Sequence, residues 1–304
     1  MRHLFLINPT AGKADRSAEI AAEAQALFNQ SGDTCEIRIS SAQGDITRFA
    51  REAGADGVET RIYACGGDGT LNEAATGAQG YPNLSLTCYP TGSGNDFIRY
   101  FTNREAFYTL QNFQNVREFT SDLMRVNDRI CVNICSAGFD ARIGTAIDAY
   151  RRIPLLGGSR AYAASIVVNL LRGVVKPCRV ELDDGQVFDE NMTLCCICNG
   201  RWYGGGYNPI PEADMTDGIL DVLVVKKVSR LTVAKVIAAY QKGQYADFPE
   251  IITRCSAKRV HITTPAPEPV NLDGELLTTA DFTVEVLPQT IRLFTPEAAW
   301  HPAP

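Results

Sequence analysis

Arg61-Ile62-Tyr63-Ala64-Cys65-Gly66-Gly67-Asp68-Gly69-Thr70-Leu71-Asn72-Glu73-Ala74-Ala75 passes from a short apolar run, through glycines set around one acid, into helix-forming residues. Residues 61–65 read as a strand. The glycines break it and let the backbone come close to a ligand. Residues 71–75 read as the helix that follows, with Thr70 placed to cap an amino end that attracts anions.

The same grammar repeats on both sides. Residues 4–7 form an apolar run that ends in Asn8-Pro9-Thr10-Ala11-Gly12-Lys13, and a helix follows with Ile20, Ala24, Leu27 and Phe28 on one face. Residues 35–39 read as a second strand and 45 to about 53 as a second helix. Residues 84–89 read as a fourth strand, before Pro90-Thr91-Gly92-Ser93-Gly94-Asn95-Asp96. Strand and helix in alternation predict an α/β domain with a doubly wound, Rossmann-like parallel sheet. In such sheets ligands bind outside the carboxyl ends of the strands, and three small-residue loops lie at those ends.

From about Asp122 the rhythm changes to strands joined by turns such as Asp183-Asp184-Gly185-Gln186, interrupted by helical stretches at 159–171 and 229–240. An antiparallel β-sandwich with inserted helices fits that pattern. The expected division is a nucleotide-binding α/β domain over 1–121 and a sandwich domain over 122–289. The last strand, 290–294, is able to return to the first domain and carry 290–304 with it.

Bulk properties narrow the function classes. A net charge of −6 offers no basic field for a nucleic-acid backbone, which argues against a nucleic-acid partner. The longest apolar segment, 161–175, contains Arg172 and as a helix is roughly 22 Å long, short of a roughly 30 Å hydrocarbon core. With no signal-peptide core at the amino end, the ten cysteines indicate a reducing, cytoplasmic setting. Cys195-Cys196-Ile197-Cys198 lies in a strand-like run, where only Cys196 and Cys198 share a side, so the cysteines read as small buried hydrophobes. His3, His261 and His301 are given no catalytic work.

The three loops match neither common phosphate motif. Gly12-Lys13 is followed by Ala14 and lacks the upstream glycine of a Walker A loop, and no Gly-x-Gly-x-x-Gly opens a helix after the first strand. Asn-Pro-Thr-Ala-Gly-Lys at 8–13, Gly-Gly-Asp-Gly-Thr-Leu-Asn-Glu at 66–73 and Gly-Ser-Gly-Asn-Asp-Phe at 92–97 resemble instead the diacylglycerol kinase catalytic domain family, which includes bacterial lipid kinases and the sphingosine and ceramide kinases. The resemblance continues through Asp122-Leu123-Met124-Arg125-Val126 and Val132-Asn133-Ile134-Cys135-Ser136-Ala137-Gly138-Phe139-Asp140. It also takes in Gly204-Gly205-Gly206, Pro211-Glu212-Ala213, Asp217-Gly218-Ile219-Leu220-Asp221-Val222 and Leu272-Asp273-Gly274-Glu275, spanning nearly the whole chain.

That resemblance implies a lipid kinase using ATP and Mg²⁺, with its active site in an interdomain cleft and diacylglycerol as the foremost acceptor. Asn8, Pro9, Thr10, Ala11 and Gly12 would hold the nucleotide together with Gly66, Gly67, Asp68, Gly69, Thr70, Leu71, Asn72 and Glu73, with Ser40 and Ser93 as further contacts. Asp68 and Asp96 would position the catalytic Mg²⁺, with Asp122 nearby. Asp217, with backbone oxygens near Asp214 and Ile219, would bind a structural Mg²⁺. Glu275 would take the proton from the lipid hydroxyl, and Asp273 is its alternative. Ser93 departs from the threonine of many members but keeps the hydroxyl.

The chemistry is consistent. Two like charges ~5 Å apart repel by roughly 3 kcal/mol at an effective dielectric of 20, so acids facing a triphosphate call for a divalent cation. Phosphoryl transfer needs positioning and charge neutralisation more than covalent help. A carboxylate beside the attacking alcohol supplies the proton acceptor. Tyr150-Arg151-Arg152-Ile153-Pro154-Leu155-Leu156-Gly157 mixes bases with apolar residues, as an interfacial segment should, and Tyr162, Ile166 and Leu170 follow on a helix able to wall an acyl pocket. Trp202 and Tyr203 either line substrate or pack. The expected partner is a membrane lipid met peripherally and transiently at the inner face, and homodimerisation is left open. An NAD kinase, which shares the Gly-Gly-Asp-Gly-Thr loop, and a catalytically dead nucleotide or lipid binder are the alternative readings.

Overall fold

Leu4, Phe5, Leu6 and Ile7 have no more than 1% of their surface exposed, the enclosure expected of an apolar run covered on both faces. In the computed structural model, which describes residues 1–28, 32–92, 94–139, 141 and 175–300, they belong to β1 (Arg2–Ile7). The chain divides into two units, Met1–Leu123 with Leu287–Pro304, and Met124–Val286.

In the first unit β1 is joined by β2 (Thr34–Ile39), β3 (Thr60–Gly66) and β4 (Leu84–Pro90), and by the end of the chain's last strand, β13 (Glu275–Pro296). The order is β2-β1-β3-β4-β13, every pair parallel. The order reverses between β1 and β3, which marks a topological switch point beside the loops that follow those two strands. Helices α1 (Ser17–Phe28), α2 (Asp45–Ala55) and α3 (Asp68–Ala78) make the crossovers. α2 and α3 pack closely, since a Cβ on Gly77 would lie 2.3 Å from the Thr47 carbonyl oxygen. Tyr63 anchors the core, stacked on Phe5 at 4.2 Å and meeting Phe294 edge-on at 5.1 Å.

The second unit contains β6 (Arg129–Cys131), β7 (Ile134–Gly138), β8 (Lys176–Leu182), β9 (Val187–Cys198), β10 (Leu220–Lys226), β11 (Ile252–Ala257) and β12 (Arg259–Leu272), with the ends of β5 (Val116–Val126) and β13 that fall within it. The pairings β11-β10-β9-β7-β12-β13 are antiparallel. β8 lies against β9 and β12 at one end, where β7 does the same at the other. Successive side chains of β9 alternate between two cores. Cys195 and Ile197 join Val222, Val224, Val260 and Val284, whereas Cys196 and Cys198 join Leu223, Val225 and the helix α4 (Arg230–Gln241). None of the ten cysteines forms a disulfide.

The sequence resolves some of these elements only in part. Residues 282–286 and 290–294 read as two strands, yet they belong to one β13, which turns through Gln289 at φ 49° without leaving the sheet. Residues 130–134 read as one strand but split into β6 and β7 around Val132 and Asn133. The expected helix at 159–171, with Tyr162, Ile166, Leu170 and Arg172, lies outside the described residues, as do 150–157 and Ser93. Among the described residues no helix is long and apolar enough to cross a membrane.

Candidate functional site

The three glycine loops of the first unit are interlocked. The backbone N–H of Asn8 donates to Cys65 O at 3.0 Å, and its side-chain amide donates to Thr70 Oγ1 at 3.3 Å, fastening the loop after β1 to the start of α3. The N–H groups of Thr91 and Gly92 both donate to Gly66 O, at 3.0 and 3.1 Å, fastening the loop after β4 to that after β3. The spacing excludes side chains. A Cβ on Gly12, whose φ is +84°, would stand 2.2 Å from Thr91 O, and one on Gly92 would stand 2.6 Å from Gly67 Cα.

Asp68 is the hub. It opens α3, its N–H donates to Gly94 O at 3.2 Å, and its carboxylate accepts the N–H groups of Asp96 and Phe97 at 2.8 and 3.3 Å. Asp96 is 5% exposed and pairs with Arg99 at 3.1 Å. The Asp68 carboxylate thus holds the backbone of Asp96, while the Asp96 carboxylate faces Arg99. Ser40, also expected near the nucleotide, donates its N–H to Ile7 O at 2.9 Å, at the tip of the same sheet.

Thr70 does not cap α3. The cap position is Gly67 with no side-chain hydrogen bond, the helix begins two residues before Thr70, and the Thr70 side chain packs against Gly66. Glu73 has a structural duty too, accepting the Gly44 N–H at 3.0 Å where α2 begins. Asp122 is fully buried, and one of its oxygens accepts the Gln289 N–H at 2.7 Å, steadying the turn of β13. Two atoms were overlooked by the sequence reading. Among the described residues the hydroxyl of Thr91 and the amide oxygen of Asn95 are buried without a hydrogen-bond partner, at the loop where a ligand would sit.

In the second unit Asp273-Gly274 is the two-residue turn of a hairpin, with φ of 53° and 98°, and Leu272 pairs with Glu275 across it. The carboxylate of Asp273 accepts the N–H groups of Val132 (2.5 Å), Asn133 (3.0 Å) and Ile134 (2.9 Å). Asp273 is therefore a clamp, with most of its acceptor sites engaged by three backbone donors. Glu275, half-buried, is the next residue along the strand that the clamp fixes.

Asp214 accepts from the N–H and hydroxyl of Thr216 at 3.0 and 2.8 Å, and Asp217 accepts the Ile219 N–H at 3.0 Å, so both fold the loop before β10. Among the described residues no group of three or more His, Cys, Asp or Glu side chains is arranged to hold a metal ion.

Beneath α4 lies a small apolar cavity of about 60 Å³. The helix starts at Ser229, whose hydroxyl accepts the Thr232 N–H at 3.1 Å. It turns Val233, Val236, Ile237 and Tyr240 toward the cavity at helical spacing, opposite Leu194, Val225 and Ile252. Tyr203 closes part of the wall, its hydroxyl 3.0 Å from that of Tyr240. Positive φ at Gly204, Gly205 and Gly206 lets the loop fold back so that Tyr203 bridges Tyr207.

Two family models match. Residues 2–126 match the diacylglycerol kinase catalytic domain, and residues 133–295 match the YegS C-terminal NAD kinase beta sandwich-like domain. The chain belongs to the YegS-like lipid kinase family. Among YegS-like relatives, a protein named "Probable lipid kinase YegS-like" from Shewanella frigidimarina is 30% identical, with 94% of this chain and 92% of that one aligned. One of the same name from Xanthomonas axonopodis pv. citri is 29% identical over 90% and 91%. A crystal structure of a diacylglycerol kinase from Bacillus anthracis shares the fold at TM-score 0.70 and 23% identity, covering 98% of each chain. A second structure from that organism aligns at TM-score 0.76 with 25% identity over the same share.

As a YegS-like kinase, the protein is an enzyme acting on lipid, which sets aside the reading as a dead binder. The NAD kinase alternative survives only as kinship of the sandwich domain. The signal for Asn95 was present in its glycine motif, whereas nothing in sequence separated Asp273 the clamp from Glu275 two residues later.

Proposed function

We propose that this YegS-like kinase transfers the γ-phosphoryl group of ATP, with Mg²⁺, to a lipid hydroxyl, diacylglycerol being the first acceptor to test and phosphatidic acid its product. The observation that carries the reading is the interlocking of three glycine loops around Asp68 at the carboxyl ends of β1, β3 and β4. Close-packed backbone at those tips, the uncapped amino end of α3 and the buried, unpartnered Thr91 hydroxyl suit a polyphosphate. Mg²⁺ is commonly held by one or two carboxylates together with substrate phosphates, and Asp68, whose carboxylate carries the Asp96 N–H, and Asp96 would supply them. Once bound, the ion would neutralise charge on the phosphates. The loop from Asp214 to Ile219 would hold a second, structural ion through Asp217 and backbone oxygens.

On the acceptor side, Glu275 takes the proton as the alcohol attacks phosphorus, and the turn clamped by Asp273 sets the direction of its strand. The cavity under α4 receives part of an acyl chain, since its lining is almost wholly apolar. Contact with the membrane is peripheral.

Glu275→Gln tests the reading. With ATP, Mg²⁺ and diacylglycerol in detergent micelles, the wild type should form phosphatidic acid. The variant should lose about 10²–10⁴-fold in rate while keeping its unfolding temperature. A variant as active as the wild type would remove Glu275 as the proton acceptor. Absence of any lipid product, across a panel of lipid alcohols, would refute the acceptor class.

A further inference from the structure

The stretch 222–246 contains five basic residues, Lys226, Lys227, Arg230, Lys235 and Lys242, and no acidic one, in a chain whose net charge is −6. These charges sit on one structural feature, α4 and its two flanks. The inner side of the helix faces the apolar cavity through Val233, Val236 and Tyr240. The outer side exposes Lys227, Arg230, Lys235 and Lys242, together with Ala234 and Ala238. Leu231 stands on the same side, 76% exposed, the most exposed large hydrophobic among the described residues. Val228, next to Lys227, lines the cavity, so the basic flank adjoins its wall.

We infer that the outer face of α4 docks on an anionic lipid bilayer, with the apolar cavity on the opposite, inner side of the same helix. The charge is local and positive on an otherwise acidic protein, which complements anionic headgroups while the rest of the molecule is held off. Small alanines let the helix approach closely, and Leu231 enters the headgroup layer as a shallow apolar contact. A single-stranded nucleic acid is a poorer fit, because such sites stack bases on exposed aromatic rings and Tyr240, the aromatic residue of this helix, is buried. The inference rests on the lipid-kinase reading for its purpose, not for its test.

The test is co-sedimentation of the full chain with vesicles of phosphatidylcholine alone or mixed with phosphatidylserine. The wild type should bind the mixed vesicles selectively and lose them as salt is raised. Each cation near such a surface is worth about fivefold in partition, so Lys227→Gln/Lys235→Gln/Lys242→Gln should weaken binding by roughly 100-fold. Phosphorylation of lipid dispersed in neutral detergent micelles should be unchanged in that variant. Arg48→Gln/Arg51→Gln/Arg104→Gln, which removes equal charge from the first unit, should bind vesicles as the wild type does. Equal binding to both vesicle types, an unaffected α4 variant, an equal loss in the control, or a preference for single-stranded DNA over vesicles at matched salt would each overturn the proposal. A wild type that docks as described yet phosphorylates no lipid would leave docking standing and remove only the reading of its purpose.

Discussion

Replacing Asp273 with Ala should unfold the second unit at a markedly lower temperature, by an amount that follows from its three backbone partners. Val132, Asn133 and Ile134 present successive N–H groups to one carboxylate at 2.5, 3.0 and 2.9 Å. Val132, Asn133 and Ile134 are all buried, so water has little access to the abandoned donors. A hydrogen bond to a charged acceptor is worth about 1.5–3 kcal/mol net, but three that share one carboxylate are not additive, and about 3–5 kcal/mol is the expected total. For a unit of this size each kcal/mol moves the midpoint by roughly 2–4 °C, giving a drop on the order of 10 °C. Asp273→Asn should fall between, since its amide keeps one acceptor and turns an NH2 toward donors. Differential scanning calorimetry would resolve the transition of the second unit. A drop under about 2 °C would show that these contacts do not hold the turn, and the clamp reading would fail with it. At a temperature where Asp273→Ala remains folded, its rate should follow pH as the wild type does, because Glu275, the proposed proton acceptor, is retained. A lost acidic limb would return Asp273 to proton transfer.

Other consequences follow from the first unit. Gly12→Ala forces a side chain into left-handed backbone and against Thr91 O, which should cost about 1–3 kcal/mol and weaken ATP binding by ~10-fold or more; calorimetric titration giving an unchanged Kd would contradict the interlocked loops. His3 is buried against Phe28, and desolvation lowers its pKa to about 4 even though Asp33 pulls the other way. The unfolded chain therefore takes up the proton first. His3's contribution is full above pH ~6.5 and lost as pH falls toward 4, at most about 3 kcal/mol. Thermal unfolding of the wild type should weaken across that window more than that of His3→Gln, and parallel pH profiles would refute the assignment.

Much of the architecture was legible because it depends on short-range pattern. Apolar-rich runs at β1, β3 and β4, closed by Asn8-Pro9, Gly66-Gly67 and Pro90-Thr91-Gly92, state a parallel sheet and where its ligand end lies. The alternation of Cys195, Cys196, Ile197 and Cys198 was readable for the same reason, since neighbours on a strand must face opposite ways. What stayed hidden depends on partners distant in sequence. Asp273 meets Val132 across more than a hundred residues, and Asp122 meets Gln289 across more still. No local pattern distinguishes such acids from catalytic ones. Thr70 looked like a cap because threonine often is one, yet Gly67 already begins the helix. The cavity under α4 escaped notice because its walls come from three strands, a helix and the Tyr203 loop, each of which reads alone as ordinary core.

β13 ends its course beside β4, pairing Arg292 with Ser85 and Leu293 with Leu86. A ribosome delivers these partners long after β4. At about 5–20 residues per second, the intervening stretch occupies the order of ten seconds to most of a minute of synthesis, during which β4 waits with one side bare. A nascent chain released before residue 290 would expose that side to neighbours on the same polysome, so the cell's exposure to aggregation should depend on how fast the codons between β4 and β13 are read.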